Sequence, residues 1–268
     1  MEIWRVNVRK HTLSREPVPA DWDSLGGRGL LAQILVDEVP ATCEPLGRRN
    51  KLVFAPGLLV GHMLSSCDRI SVGGKSPLTG GIKESNAGGS TGLLMTQLGI
   101  KALILEDQPA QPGWQVLHLS AEGARFDPAE DNAGEYAGGF SLAGLGVYET
   151  ARRLLERYGE KVAISLIGPG GEMQLAAAGI QNLDKDRVPS RINARGGLGA
   201  VMGSKGIKAV VFDAAGGARG VGKPPVAHLE AFRAAQKVFN QSLLNHPQTA
   251  VYRDYGTASL VRMCNTLG

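Results

Sequence analysis

One stretch of this chain occurs twice. Asn193 to Asp213 overlays Asn86 to Glu106 at a spacing of 107 positions without a gap. The identical pairs are Asn86/Asn193, Ala87/Ala194, Gly89/Gly196, Gly92/Gly199, Met95/Met202, Gly99/Gly206, Ile100/Ile207, Lys101/Lys208 and Ala102/Ala209. Nine identities in 21 ungapped positions, three of them glycines, point to an internal duplication rather than chance. Two copies cannot stack into a solenoid. The expected fold is therefore α+β, with two similar halves, about 1–106 and 107–213, facing each other about a pseudo-twofold axis.

The order of elements supports this reading. Ile3 to Val8, Lys51 to Ala55, Arg69 to Val72 and Ala102 to Leu105 read as strands, and Leu30 to Val36 reads as an apolar helix ended by Pro40. Gly73 to Gly81 reads as a turn-rich loop. Trp114 to Leu119, the amphipathic helix Leu145 to Tyr158, the buried strand Lys161 to Ile167 and the strand Ala209 to Phe212 repeat the series. A Gly/Ala/Pro linker over 214–225 then leads to a helical tail over 226–268, whose apolar positions include Leu229, Phe232, Phe239 and Leu243. With an apolar face and no partner strand, the tail reads as the start of an incomplete second domain.

Composition narrows the chemistry. Glycine supplies 37 of 268 residues, about twice the usual share of roughly 7%, which implies tight turns and close backbone approaches. The net charge is +4 and aromatic residues are only 5%, a balance that suits a small anionic ligand better than nucleic acid. Cys43, Cys67 and Cys264 lie far apart with no CxxC among them, so a disulfide framework is not expected and a reducing cytoplasm is the expected compartment. No signal core or membrane-length apolar run is present in the sequence.

A glycine-rich turn before a helix exposes backbone N–H groups and the positive end of the helix dipole, which suits phosphate. Arg191 and Arg195 add planar forks for the same kind of ligand. The alternative is that these glycines only permit tight strand–helix packing. Gly199 to Lys205 is one residue too short for a Walker loop. Gly197-Leu198-Gly199 begins a dinucleotide-type fingerprint, but the polar Asp184 to Arg195 precedes it instead of a strand. Two matching turns across a local twofold suit a ligand of two like halves, with Asn86 and Asn193 as amide donor and acceptor. The five histidines share no spacing, Cys67 reads as a small buried thiol, Asp184 to Arg187 as a solvated loop, and neither Glu84 nor Glu172 is assigned a catalytic role.

Four blocks carry a family resemblance. Ser76 to Gly80, Asn86 to Gly89, Ile167 to Glu172 and Arg195 to Ala209 resemble the N-terminal domain of the tungsten-dependent aldehyde ferredoxin oxidoreductases, and the last block is highly specific. The resemblance runs from about residue 1 to the end. It implies a duplicated α+β base on which a tungsten or molybdenum bis-pyranopterin cofactor sits, one pterin per half. By motif match, Arg69, Asn86, Ala87 and Gly88 of the first half and Arg191, Ile192, Ala194 and Arg195 of the second would hold the pterins and their phosphates. A magnesium ion bridging the phosphates would take backbone carbonyls at Asn86 and Ile192. One departure stands out: Ile192-Asn193 occupies positions where the family commonly shows small residues.

The resemblance further implies oxidation of an aldehyde to a carboxylate, with ferredoxin or another iron–sulfur carrier as acceptor. The 4Fe-4S cluster of that family needs a CxxCxxxC run plus a distant cysteine, and these are absent here. No catalytic residue is expected in this chain. The acid/base groups would come from missing C-terminal helical domains or a partner subunit, and a homodimer is left open. Nucleic acid and membrane partners are not expected. A non-catalytic scaffold and, more weakly, a dinucleotide-binding domain remain as alternatives.

Overall fold

The structure is a computed structural model that describes residues 1–62, 64–131, 140–215 and 224–267. It divides into one unit of Met1–Gly61 with Cys67–Pro224 and another of His62–Ser66 with Pro225–Gly268. The 214–225 linker falls largely on residues outside those described.

The first unit begins with β1 (Glu2–Asn7), β2 (Thr12–Pro17), α1 (Gly27–Glu38), β3 (Leu52–Pro56), β4 (Ile70–Lys75), β5 (Ile82–Ala87), α2 (Thr91–Gln97) and β6 (Ile100–Glu106). It continues with β7 (Gln115–Ser120), β8 (Gly123–Pro128), the two-residue strands β9 (Glu130–Asp131) and β10 (Phe140–Ser141), α3 (Val147–Tyr158), β11 (Ala163–Leu166), the single turn α4 (Pro169–Glu172), β12 (Ile180–Asn182), β13 (Arg191–Asn193), α5 (Leu198–Ser204) and β14 (Ile207–Asp213). Two six-stranded mixed sheets result, and β9 pairs with β10 apart from them. The first sheet runs β2-β1-β6-β3-β4-β5, and the second, taken in the matching direction, runs β8-β7-β14-β11-β12-β13. In each sheet a single parallel pair, β1/β6 or β7/β14, sits among antiparallel ones. Both parallel pairs slip register at the same place, beside Ile100/Ala102 and Ile207/Ala209.

Alternation along the central strands explains the layering. Val53, Ala55, Ala102 and Ile104 face outward onto Leu30, Leu31, Ile34 and Leu35 of α1. Ile164, Leu166, Ala209 and Val211 likewise meet Ala151 and Leu154 of α3. The opposite residues, Leu52, Phe54, Leu103 and Leu105 with Val210 and Phe212, close on a core between the sheets. The short helices α2 and α5 fill that core with Leu94, Met95, Leu98, Leu198, Val201 and Met202. Gly99 and Gly206, at φ +75° and +68°, turn the chain out of each short helix into the next strand.

The edge strands β2 and β8 are polar and have no counterpart among the elements expected from the sequence. Gly73-Gly74-Lys75 continues β4 instead of opening a loop. A side chain at Gly73 would lie 2.4 Å from Leu31 Cδ2, so glycine is what lets α1 lie on the sheet there. Arg191–Asn193, inside the stretch taken as polar and non-strand, forms the edge strand β13. Because β13 pairs only antiparallel with β12, this does not restore a dinucleotide fold, whose strands are parallel.

The second unit comprises α6 (Leu229–Asn245), α7 (Pro247–Tyr255), a 3-10 turn Gly256–Leu260 and α8 (Val261–Leu267). Within the expected helical tail, α7 lies between α6 and the 3-10 turn. Pro247 starts it, and the His246 ring nitrogen accepts from Gln248 N at 3.2 Å. The loop His62–Ser66 belongs to this unit: the His62 ring lies 4.9 Å from Phe232, and Ser65 N donates to Asn240 Oδ1 at 3.4 Å. Among the described residues no helix is long and apolar enough to cross a membrane.

Candidate functional site

The edge strands β5 and β13 bring the two sheets together. Asn193 Nδ2 donates to Ser85 O at 2.7 Å, and Arg195 N donates to Ser85 Oγ at 3.3 Å. Gly88 follows β5 at this seam. A side chain built on it would lie 3.9 Å from Arg69 Nη1 and 3.9 Å from Arg191 Cδ. One arginine from each half therefore flanks the same glycine.

Arg69 precedes β4 and is exposed. Its Nε donates to Asn86 Oδ1, while Asn86 Nδ2 donates to Ser71 Oγ at 3.2 Å. Ser71 in turn donates to Glu84 Oε1 at 2.7 Å, and Arg28 holds the other oxygen of Glu84 at 3.0 Å. Arg69 is thus aimed through a chain of bonded side chains. Arg191 and Arg195 are exposed, and their guanidinium groups donate no hydrogen bond among the described residues. Asp184 shapes the loop before β13. Its carboxylate accepts from Ser190 Oγ at 2.6 Å and from the N–H groups of Asp186 and Val188, and its pKa is lowered, chiefly by the Ser190 hydroxyl. The solvated loop is also a hydrogen-bonded turn that leads into β13 and Arg191.

The remaining expected residues fall at the same seam. Ala87 ends β5 and is buried, Ala194 is exposed, and Ile192 is 46% exposed. Gly179 accommodates the branched Ile192, since a Cβ there would meet Ile192 Cγ2 at 3.2 Å. Asn193 differs from expectation. It is fully buried, accepts from Asn182 Nδ2 at 2.8 Å and donates to Ser85 O, so it faces protein instead of a ligand.

The glycines divide into two kinds. Added side chains at Gly197, Gly199 and Gly203 would stand 1.9, 2.3 and 2.0 Å from the carbonyl oxygens of Ala176, Gly179 and Gly171. All of α5 is buried. These three glycines serve close backbone packing, and Gly199 N is spent on Ala178 O at 2.8 Å. Gly88 has only ordinary contacts around it, and those contacts are arginines. What this seam offers an anion is guanidinium groups more than the start of a helix.

Exposed cationic forks on either side of a bare backbone position fit a phosphate-bearing cofactor. No group of three or more His, Cys, Asp or Glu side chains able to hold a metal ion occurs among the described residues.

Several participating side chains carried no motif. Asn182, Ser165, Thr91 and Ser85 are all buried at the seam. Only Ser165, alone among the apolar residues of β11, carries a mark in the sequence; Ser85 and Asn182 sit among other polar residues.

The fold and this seam define an α+β domain in which arginines of both sheets converge on one glycine. Residues 3–214 match the family model described as aldehyde ferredoxin oxidoreductase, N-terminal domain. The chain belongs to that family of oxidoreductases. The tungsten-containing aldehyde ferredoxin oxidoreductase of Pyrococcus furiosus is 34% identical over 91% of this chain and 37% of its own length. The enzyme of the same name from Pyrococcus abyssi is 32% identical over 100% of this chain and 41% of its own length. Among solved structures, a chain of the active-site complex BamBC of benzoyl coenzyme A reductase superposes with a TM-score of 0.78 at 28% identity, over 92% of this chain and 35% of that one. The chain spans about two fifths of the length of the curated relatives it matches.

Proposed function

We propose that this chain is the cofactor-binding part of a tungsten or molybdenum bis-pyranopterin oxidoreductase that oxidises aldehydes to carboxylates, with ferredoxin as electron acceptor. The observation that carries the reading is the placement of Gly88 between Arg69 and Arg191, one from each half. The matched strand orders of the two sheets support two copies related by a local twofold, each offering one arm to one pterin.

In this reading Arg69 and Arg191 bind the two phosphate ends as bidentate donors, and Arg195 adds charge beside them. Asn86 and Ser71 orient Arg69 through their hydrogen bonds. Gly88 leaves its backbone open to close approach. The carbonyls of Asn86 and Ile192 are the proposed ligands of a magnesium ion between the phosphates. When bound, the cofactor supplies the two-electron chemistry by which an aldehyde and water become a carboxylic acid, two protons and two electrons, the electrons leaving singly to ferredoxin. The chain's own residues grip and orient that group and move no proton. Acid/base groups and 4Fe-4S ligands belong to the additional length that the relatives possess.

The test is anaerobic purification of the intact enzyme after growth with tungstate and, separately, molybdate. About one metal atom per complex, with organic phosphate and aldehyde-dependent reduction of ferredoxin, is expected. No metal under either condition would favour a scaffold that kept the fold alone.

A further inference from the structure

Behind Gly88 the two halves are joined by a buried amide whose hydrogen-bonding positions are all taken. Asn182, at the end of β12, is fully buried. Its Oδ1 accepts from Ser165 Oγ at 2.7 Å and from Thr91 Oγ1 at 3.3 Å. Its Nδ2 donates to Asn193 Oδ1 at 2.8 Å and to the backbone oxygen of Arg191 at 3.1 Å. An amide offers two donor hydrogens and two acceptor lone pairs, so nothing is left over. The orientation is fixed as well, because flipping the amide would turn its oxygen toward two carbonyl-type acceptors.

The partners have a definite relation to the seam. Thr91 lies three residues after Gly88, and Ser85, which accepts from Asn193, lies three residues before it. Asn182 and Asn193 together therefore hold the Gly88 segment on both flanks and tie it to the strand that carries Arg191. Gly89, at φ +108°, brings this segment in close: Ser90 N bonds Leu183 O at 3.0 Å, where a side chain on Gly89 would come within 2.5 Å.

We propose that Asn182 is a positioning residue for the cofactor site: it sets the spacing between the Gly88 arm and the Arg191 arm, and hence the span over which a two-headed anionic ligand is gripped. This rests on the reading of the seam as the cofactor grip. Asn182 touches no ligand and acts through the Arg191 carbonyl. Its effect should therefore be visible only while Arg191 retains its guanidinium.

The experiment follows tungsten retention in the anaerobically purified holoenzyme, measured as the half-time of metal loss on dialysis. Asn182→Ala should shorten that half-time about tenfold and Thr91→Val about threefold, the scale of one or two displaced hydrogen bonds. In an Arg191→Ala background neither change should accelerate loss further, the non-additivity expected of residues acting through one contact. Parental retention in both variants overturns the proposal, and so does equal acceleration with and without Arg191, which would mark a merely structural role. Should Asn182→Ala fail to fold, the isosteric Thr91→Val carries the same two outcomes. A parent enzyme holding neither tungsten nor molybdenum would instead overturn the cofactor reading itself, and this proposal with it.

Discussion

Asn193 reaches from the second sheet to the first, its side-chain amide donating to the backbone carbonyl of Ser85 at 2.7 Å with no solvent exposure. Asn193→Ala would leave that carbonyl, and one hydrogen of Asn182 Nδ2, buried and unpaired. The expected loss is about 2–3 kcal/mol, read as a lower denaturant midpoint at unchanged slope. An unchanged midpoint would mean that the seam is held elsewhere.

The two kinds of glycine predict opposite outcomes for the same substitution. Gly203→Ala places a methyl 2.0 Å from Gly171 O, backbone against backbone, and should cost several kcal/mol, about 3 or more, and so abolish soluble expression. Gly88→Ala meets nothing nearer than 3.9 Å. It should leave thermal stability within about 1 kcal/mol of the parent while lowering metal content in the intact enzyme. Soluble yield of the Gly203→Ala variant, and thermal unfolding with metal analysis of the Gly88→Ala variant, check the two halves of this contrast.

Lys205 gives the first unit a defined pH dependence. Only 1% exposed, it donates to Asn50 O at 2.8 Å and to Asp107 O at 3.0 Å, and burial lowers its pKa from 10.5 to about 8. Between those values the unfolded chain holds the proton more tightly than the folded one, so stability rises with pH across that window. Relative to Lys205→Met, the unfolding free energy of the parent should grow by roughly 2–3 kcal/mol from pH 7 to pH 10. Parallel pH curves for parent and variant would contradict this. Lys101 and Lys208 are shifted in the same direction by burial, but they are present in both proteins and cancel in the difference.

What the sequence made legible follows from period and volume. The central strands β3, β6, β11 and β14 are apolar on both faces and bounded by turns, and α1 and α3 carry apolar residues toward one sheet each. The edge strands β2, β8 and β13 escaped notice because a strand with one open side keeps polar residues such as Ser14, Arg15 and Arg125. At the site, Gly88 and Arg195 lie inside blocks that carry the family resemblance, whereas Arg69 and Arg191 lie outside those blocks, and Arg69 is implied by the resemblance alone. The part played by Asn193 was not legible, because the same residue type serves equally as a ligand contact or as a buried tie. Only its neighbours Asn182 and Ser85, 11 and 108 positions away, decide between them.

Metal content of the intact enzyme, compared between parent and the Arg69→Ala, Arg191→Ala double variant, bears most directly on the claim that one arginine from each half grips a shared cofactor. Both side chains are exposed, so the fold should persist and circular dichroism should match the parent. About one tungsten or molybdenum per complex in the parent, falling about tenfold or more in the double variant, is the predicted result. Equal metal in the two proteins would contradict it.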